Sequence, residues 1–227
     1  MKKGKLYGIG VGPGDPELIT LKASRIINET EYIAIPGSEK EETRSYQIAS
    51  KIIEKPDSKK LIYCPVTMTK DRALLDKMYE AIAEKIIQVL DKGFDVSYLT
   101  IGDPTIYATY MYIHRLIEKA GYEAEIINGI PSFCAVAARL DISLCEREEK
   151  LHIIPSSYDI DEALMLDGVK VLMKAGSKIK DVKQQLEKKN ADVYMVENCG
   201  FENERVFKSV HEIDENAGYL SVVIVKE

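Results

Sequence analysis

The segment Tyr98-Leu99-Thr100-Ile101-Gly102-Asp103-Pro104-Thr105-Ile106-Tyr107 joins an apolar run to a helical pattern. The apolar run, Val96 to Ile101, stops at Gly102-Asp103-Pro104, and an aromatic-rich helical pattern follows. This order predicts a buried strand that leads through a tight turn into a helix. In open α/β sheets, ligands bind just beyond the carboxyl ends of the strands. The turn therefore suits either an ordinary connection or one wall of a binding crevice.

Strand and helix patterns alternate along the first half of the chain. The candidate strands there are residues 5–11, 32–35, 61–64 and 96–101. Such alternation predicts a mainly parallel sheet with helices on both faces. In the second half, the last candidate strand, residues 219–225, follows a short polar connection, which favours antiparallel pairing and a mixed sheet. We predict two α/β domains, residues 1–118 and 119–227, with a cleft between them.

The composition of the chain limits the kinds of partner that we expect it to bind. The chain has 227 residues, 45% of them hydrophobic, and a formal net charge of −6. An acidic total argues against non-specific nucleic-acid binding, which needs a basic surface. No signal-peptide pattern follows the first residues, and no apolar run approaches the ~18 residues of a membrane span. We therefore expect a cytoplasmic protein that binds neither nucleic acid nor membrane.

The cysteines and histidines show no spacing typical of a metal site. None of the four cysteines forms a Cys-x-x-Cys pair, and the three histidines lack any His-Glu-x-x-His pattern. Widely spaced cysteines indicate reduced thiols rather than a disulfide framework. The sequence predicts no metal site built from protein side chains.

The glycine-rich turn Gly8-Ile9-Gly10-Val11-Gly12-Pro13-Gly14-Asp15 does not match the dinucleotide-binding pattern. Depending on where the pattern starts, Pro13 or Asp15 takes the place of its third glycine. Pro13 also lacks the backbone N–H that a phosphate would need. The turn suits a neutral or cationic ligand better than a phosphate, and a tight strand-to-helix connection remains the alternative.

Four segments together resemble the tetrapyrrole methylase family. They are Gly10 to Asp15, Gly102-Asp103-Pro104, Asn128 to Phe133 and Val196-Glu197-Asn198. The resemblance covers essentially the whole chain, in order. It implies two α/β domains, a homodimer, and S-adenosylmethionine bound in the cleft between the domains. Within the family, Gly102 to Tyr112 resembles the branch that methylates C20 of precorrin-2 or of its cobalt form, cobalt-factor II, in cobalamin biosynthesis.

The resemblance also implies which residues contact the cofactor. Those residues are Pro13, Ile101, Gly102, Asp103, Ile106, Pro131, Ser132, Ala175 and Cys199. Asp103 would accept hydrogen bonds from the ribose hydroxyls or the amino group, and Ala175 and Cys199 would flank the adenine. Two positions depart from the family pattern, because Pro131 stands where Ser or Thr is usual and Cys199 where Gly is frequent.

The chemistry implied by the resemblance needs few acid–base side chains. Methyl transfer from a cationic sulfur has a neutral leaving group, so positioning of the reactants supplies much of the catalysis. Tyr107 and Glu197 are candidates, by position only, for helping a proton leave the ring, and packing or cofactor contact is the alternative role for both. The alternative functions are methylation of another corrin carbon, a diphthine synthase or ribosomal RNA methylase type of activity, and a non-catalytic nucleotide-binding module.

Overall fold

The chain forms two compact units in a computed structural model that describes residues 2–67, 69–155, 160–188 and 191–226. The units are Met1–Ile130 and Pro131–Glu227. The sequence places the domain boundary earlier, between residues 118 and 119. The difference arises because the strand Ala124–Ile127 pairs with the first strand of the chain and so belongs to the first sheet. Among the described residues, no helix is both long and apolar enough to cross a membrane.

The first unit is built on a parallel sheet. Its strands are β1 (Leu6–Gly10), β2 (Tyr32–Ile35), β3 (Lys60–Tyr63), β4 (Val96–Thr100) and β5 (Ala124–Ile127). Their order in the sheet is β3-β2-β4-β1-β5, and every pair is parallel. All five residues of β4 are buried, as a strand covered on both faces should be. The predicted parallel sheet is confirmed.

Helices cover both faces of this sheet. They are α1 (Leu21–Glu29), α2 (Arg44–Ala49), α3 (Arg72–Leu90) and α4 (Tyr110–Lys119). Helices α3 and α4 pack on the sheet face that carries Val96 and Tyr98. On the opposite face, the Thr30 hydroxyl, at the end of α1, lies 2.6 Å from the hydroxyl of Ser97. Because side chains alternate along a strand, α1 and α4 lie on opposite faces.

The second unit has a mixed sheet, as predicted. Its strands are β6 (Leu151–Pro155), β7 (Val169–Met173), β8 (Asp192–Glu197), β9 (Arg205–Phe207) and β10 (Ser221–Lys226), and its helices are α5 (Ser132–Leu140), α6 (Ile160–Ala163) and α7 (Ile179–Leu186). The order is β6-β7-β10-β8-β9, in which only β6 and β7 are parallel. Strand β9 pairs with β8 and has no counterpart in the sequence prediction, because its three residues are too few to show a periodic pattern.

Candidate functional site

The first part of the candidate site lies where β1 and β4 end. These neighbouring strands lead into α1 and α4, which lie on opposite faces of the sheet. Adjacent strands whose connections leave in opposite directions open a crevice at their carboxyl ends, where α/β proteins bind ligands. The two turns are joined here, because the Gly12 N–H donates to the Gly102 carbonyl at 3.3 Å and the Gly102 N–H donates to Gly12 at 2.8 Å.

Three glycines bring the ends of β4, β1 and β5 into backbone contact. A Cβ on Gly10 would lie 2.6 Å from both the Gly102 carbonyl oxygen and the Gly129 nitrogen. A Cβ on Gly129 would lie 2.2 Å from the same Gly102 oxygen. No side chain fits at such distances. Glycine is therefore required at both positions by the close approach of the backbones.

Asp103 ties these turns together through its carboxylate. One oxygen, Oδ1, accepts hydrogen bonds from the Thr105 N–H at 2.7 Å and the Thr105 hydroxyl at 2.5 Å. The other, Oδ2, accepts from the Gly129 N–H at 3.0 Å and from Asn128 Nδ2 at 3.2 Å. The residue is only 5% exposed. Asp103 thus connects the turn after β4 to the turn after β5.

These contacts change the role expected of Asp103. A carboxylate offers about four lone-pair sites, and all are used within the protein. The expectation that this carboxylate accepts hydrogen bonds from ribose hydroxyls or an amino group does not fit the described geometry. Burial by itself raises the pKa of Asp103, but the hydrogen bonds from Thr105, Gly129 and Asn128 outweigh it and hold the pKa below its usual value. The carboxylate is therefore ionised and committed to the fold.

The other candidate residues of the first unit surround this turn. Pro13 and Gly102 are buried, whereas Ile101 and Ile106 are half-buried. Gly102 has φ of 69°. In the described part of the chain, a Cβ on Gly102 would have the Ile130 carbonyl oxygen as its nearest neighbour, at 4.0 Å. Glycine at this position allows the positive φ. The space beside its Cα is open, so a ligand can approach there.

Tyr107 lies in the loop between β4 and α4. It is 47% exposed, and its φ is 48°. Few residues other than glycine adopt a left-handed conformation, which costs roughly 1–3 kcal/mol and is concentrated at functional sites. Lys174 and Asn198, at the ends of β7 and β8, share this conformation, with φ of 60° and 51°. All three lie in loops that follow strands.

The remaining candidates belong to the second unit. Ala175 follows β7, has no exposed surface and packs in the hydrophobic core of this unit. Cys199 follows β8 and is 9% exposed. Pro131 and Ser132 are half-buried at the start of α5, where Pro131 is the N-cap and Ser132 the first helical residue. The ends of β7 and β8 share one edge of the sheet, because both strands are antiparallel to β10.

Glu197, the last residue of β8, has both carboxylate oxygens engaged. Oε1 accepts from the Gly218 N–H at 2.5 Å, and Oε2 accepts from Arg205 Nε at 2.6 Å and Nη2 at 2.5 Å. The side chain is 7% exposed. Arg205 was not anticipated from the sequence, since an arginine in a short strand carries no motif. Thr105 and Asn128 were not anticipated as partners of Asp103 either, although both lie in the segments quoted above.

In comparisons with known proteins, the chain is similar to a single family of methyltransferases. The sequence profile of the Tetrapyrrole (Corrin/Porphyrin) Methylases matches residues 5–214. A protein of Methanocaldococcus jannaschii named "Probable cobalt-precorrin-2 C(20)-methyltransferase" is 36% identical over 98% of this chain and 96% of its own length. The "Precorrin-2 C(20)-methyltransferase" of a Sinorhizobium species is 28% identical over 98% of this chain and 95% of its own length.

A solved structure has the same fold. It is the uroporphyrin-III C-methyl transferase of Thermus thermophilus complexed with S-adenyl homocysteine, which matches with a TM-score of 0.71 at 16% identity. The match covers 99% of this chain and 98% of that one. At this identity the likeness concerns the fold, which agrees with the two α/β units predicted from the sequence.

Proposed function

The chain belongs to the tetrapyrrole (corrin/porphyrin) methylases, and we propose that it transfers a methyl group from S-adenosylmethionine to C20 of precorrin-2 or cobalt-factor II in cobalamin biosynthesis. The observation that carries the proposal is the full-length similarity to relatives named for this reaction. The segment Gly102 to Tyr112, which resembles the C20 branch, supports it. The relatives' names include both the metal-free and the cobalt-containing substrate, so both are to be tested.

The residues present fit such a cofactor. The turns after β1 and β4 present backbone rather than basic side chains, and the space beside the Gly102 Cα is open. Pro13, Ile101, Gly102 and Ile106 would supply contacts in the first unit. In the second unit the contacts would come from Pro131, Ser132 and the turns that carry Ala175 and Cys199. Asp103 would act by holding the turns, since its carboxylate is fully hydrogen-bonded within the protein.

The proposed chemistry relies mainly on position. S-adenosylmethionine, when bound, supplies a methyl group on a cationic sulfur whose departure needs no acid. The rigid turns around Gly10, Gly102 and Gly129 would then keep the donor in line with the acceptor carbon, which can lower the barrier by several kcal/mol, up to about 7–11 in the best intramolecular cases. Tyr107 is exposed beside these turns, and we propose that its phenol helps remove the ring proton.

Binding and product analysis test the proposal. Calorimetry should show that S-adenosylmethionine or S-adenosylhomocysteine binds and that NAD does not. Mass spectrometry on precorrin-2 and cobalt-factor II should then show the gain of one methyl group, and NMR should place it on C20. Absence of cofactor binding would refute the activity, whereas methylation of another carbon would refute the C20 assignment alone.

The assignment of Tyr107 has its own test. Tyr107→Phe removes the phenol oxygen and keeps the ring, so turnover should fall while S-adenosylhomocysteine still binds. Full turnover in this variant would eliminate the phenol from the mechanism. We also propose a cytoplasmic homodimer, and light scattering in solution would report the dimer directly.

A further inference from the structure

An ion-paired cluster in the second unit lies beside the turn that carries Cys199. Glu197 is 5% exposed and binds the Arg205 guanidinium through two donors. The remaining donor group, Arg205 Nη1, lies 2.5 Å from Asp214 Oδ2. Asp214 Oδ1 in turn accepts from the Asn216 N–H at 2.9 Å. Arg205 therefore joins the end of β8 to the segment 214–218 that precedes β10.

Glu197 also holds that segment directly. Its Oε1 accepts from the Gly218 N–H at 2.5 Å. A Cβ on Gly218 would lie 2.9 Å from the same oxygen, so a side chain there would push the carboxylate out of place. The carboxylate thus fixes the position of the backbone at Gly218.

Gly218 in turn contacts the turn after β7. A Cβ on Gly176 would lie 2.2 Å from the Gly218 carbonyl oxygen. Two residues later, the Leu220 carbonyl accepts from the Asn198 N–H at 2.9 Å. The segment 218–220 consequently touches both the Ala175 turn and the Cys199 turn and determines their spacing.

We propose that Glu197, Arg205 and Asp214 are positioning residues that set the spacing of the Ala175 and Cys199 turns for the adenosine part of S-adenosylmethionine. The inference rests on the function proposed above and gives Glu197 a role other than proton transfer. A base must reach the substrate, whereas Glu197 is 5% exposed, paired with Arg205, and accepts hydrogen bonds at both oxygens. Removing the Arg205 charge leaves the buried Glu197 carboxylate without its ion-pair partner, which displaces the segment that the carboxylate holds.

The test compares cofactor binding and kinetics in matched variants. Glu197→Gln keeps an acceptor for Gly218 and loses the charge, whereas Arg205→Gln and Asp214→Asn act from the more exposed side of the cluster. Lys180→Gln is the control, because Lys180 makes an exposed ion pair, at 3.7 Å, with Glu215 of the same segment. S-adenosylhomocysteine should bind the Glu197 and Arg205 variants about tenfold more weakly than the wild-type protein and the control, as expected for loss of hydrogen bonds to a charged group.

Kinetics separate positioning from proton transfer. For Glu197→Gln and Arg205→Gln, the KM for S-adenosylmethionine should rise about tenfold, while kcat at saturating cofactor stays within roughly threefold and the pH profile of kcat keeps its shape. Arg205→Lys should restore part of the affinity, because it keeps the charge. A loss of kcat with unchanged KM and an altered pH profile in Glu197→Gln would identify a base and overturn the proposal.

Two further results have distinct meanings. Wild-type affinity in both Glu197→Gln and Arg205→Gln, with only a lower melting temperature, would show that the cluster is merely structural and would also overturn the proposal. If Glu197→Gln does not fold, Arg205→Gln and Asp214→Asn decide the question. Failure of the wild-type protein to bind S-adenosylhomocysteine would refute the proposed function itself, independently of the variants.

Discussion

Replacing Asp103 by Asn tests how the first part of the site is held together. The substitution keeps the size of the side chain and exchanges one acceptor oxygen for an NH₂ group. The carboxylate accepts four hydrogen bonds, two at each oxygen. The new amide has two possible orientations. In the less costly one, its oxygen keeps the hydrogen bond from the buried Gly129 N–H and its NH₂ group faces Thr105. The Thr105 hydroxyl can rotate to accept from it, but the Thr105 N–H cannot and loses its partner.

The magnitude follows from these contacts. A donor left without a partner costs about 1–3 kcal/mol, and the remaining hydrogen bonds each lose the advantage of a charged acceptor, roughly 1 kcal/mol apiece. Counting the two hydrogen bonds to the remaining oxygen, we therefore expect Asp103→Asn to lower the free energy of unfolding of the first unit by about 3–5 kcal/mol. The measurement is urea unfolding followed by circular dichroism, with the slope of each transition compared. Asp95→Asn is the control, because Asp95 is exposed and its Oδ1 accepts a hydrogen bond from the Lys5 N–H at 2.8 Å.

The pH dependence gives a second, independent readout. The folded-state pKa of Asp103 is lowered, so its stabilisation is present above the unfolded pKa and is lost as pH falls through the folded pKa. The stability difference between wild type and Asp103→Asn should therefore be constant near neutrality and shrink below about pH 4, where the unfolded carboxyl takes up its proton. A difference below about 1 kcal/mol at pH 7, or one that does not change between pH 7 and 3, would refute this account of Asp103.

Three further predictions concern the glycines and the thiols. Gly129→Ala should destabilise the first unit by more than about 3 kcal/mol in urea unfolding, because its Cβ would lie 2.2 Å from the Gly102 oxygen. Gly102→Ala should cost only about 1–2 kcal/mol, since φ of 69° is strained but the space is open; equal losses in the two variants would contradict the distinction. With a thiol reagent at pH 8, Cys134 should react at least about a hundredfold faster than Cys64, whose pKa burial raises to about 12, and peptide mass spectrometry would reveal any early labelling of Cys64.

The sequence predicts the strands of the first unit well, because the apolar runs of β1 to β4 end at or next to glycine or proline. The parallel pairing of the first sheet follows from the alternation of strands and helices, and the predicted strand at residues 32–35 is confirmed at both ends. Strand β9 could not be predicted, because its place depends on pairing with β8 rather than on its own three residues. The local sequence pattern thus predicts the longer strands, whereas a strand as short as β9 depends on long-range pairing.

The residues of the candidate site likewise divide into those that the local sequence indicates and those that become evident only from long-range contacts. The glycines and acids of the site could be picked out along the chain, because each stands directly after an apolar run. Their partners could not, since Asp103 meets Gly129 and Glu197 meets Gly218 only once the strands are aligned. An acid after a strand was therefore expected to face a ligand. The local sequence around an acid does not indicate whether a backbone N–H elsewhere in the chain donates a hydrogen bond to it.

The two acids that follow strands in the site have the same physical role in different units. Asp103 follows β4 and accepts the Gly129 N–H, and Glu197 ends β8 and accepts the Gly218 N–H. In both cases a buried carboxylate accepts a hydrogen bond from the backbone N–H of a glycine in a neighbouring loop. Methyl transfer from a cationic sulfur needs accurate placement of two reactants more than it needs an acid or a base. Carboxylates that hold the proposed cofactor-binding loops in place suit such chemistry. Variants of either residue should therefore change cofactor affinity before they change the pH dependence of turnover.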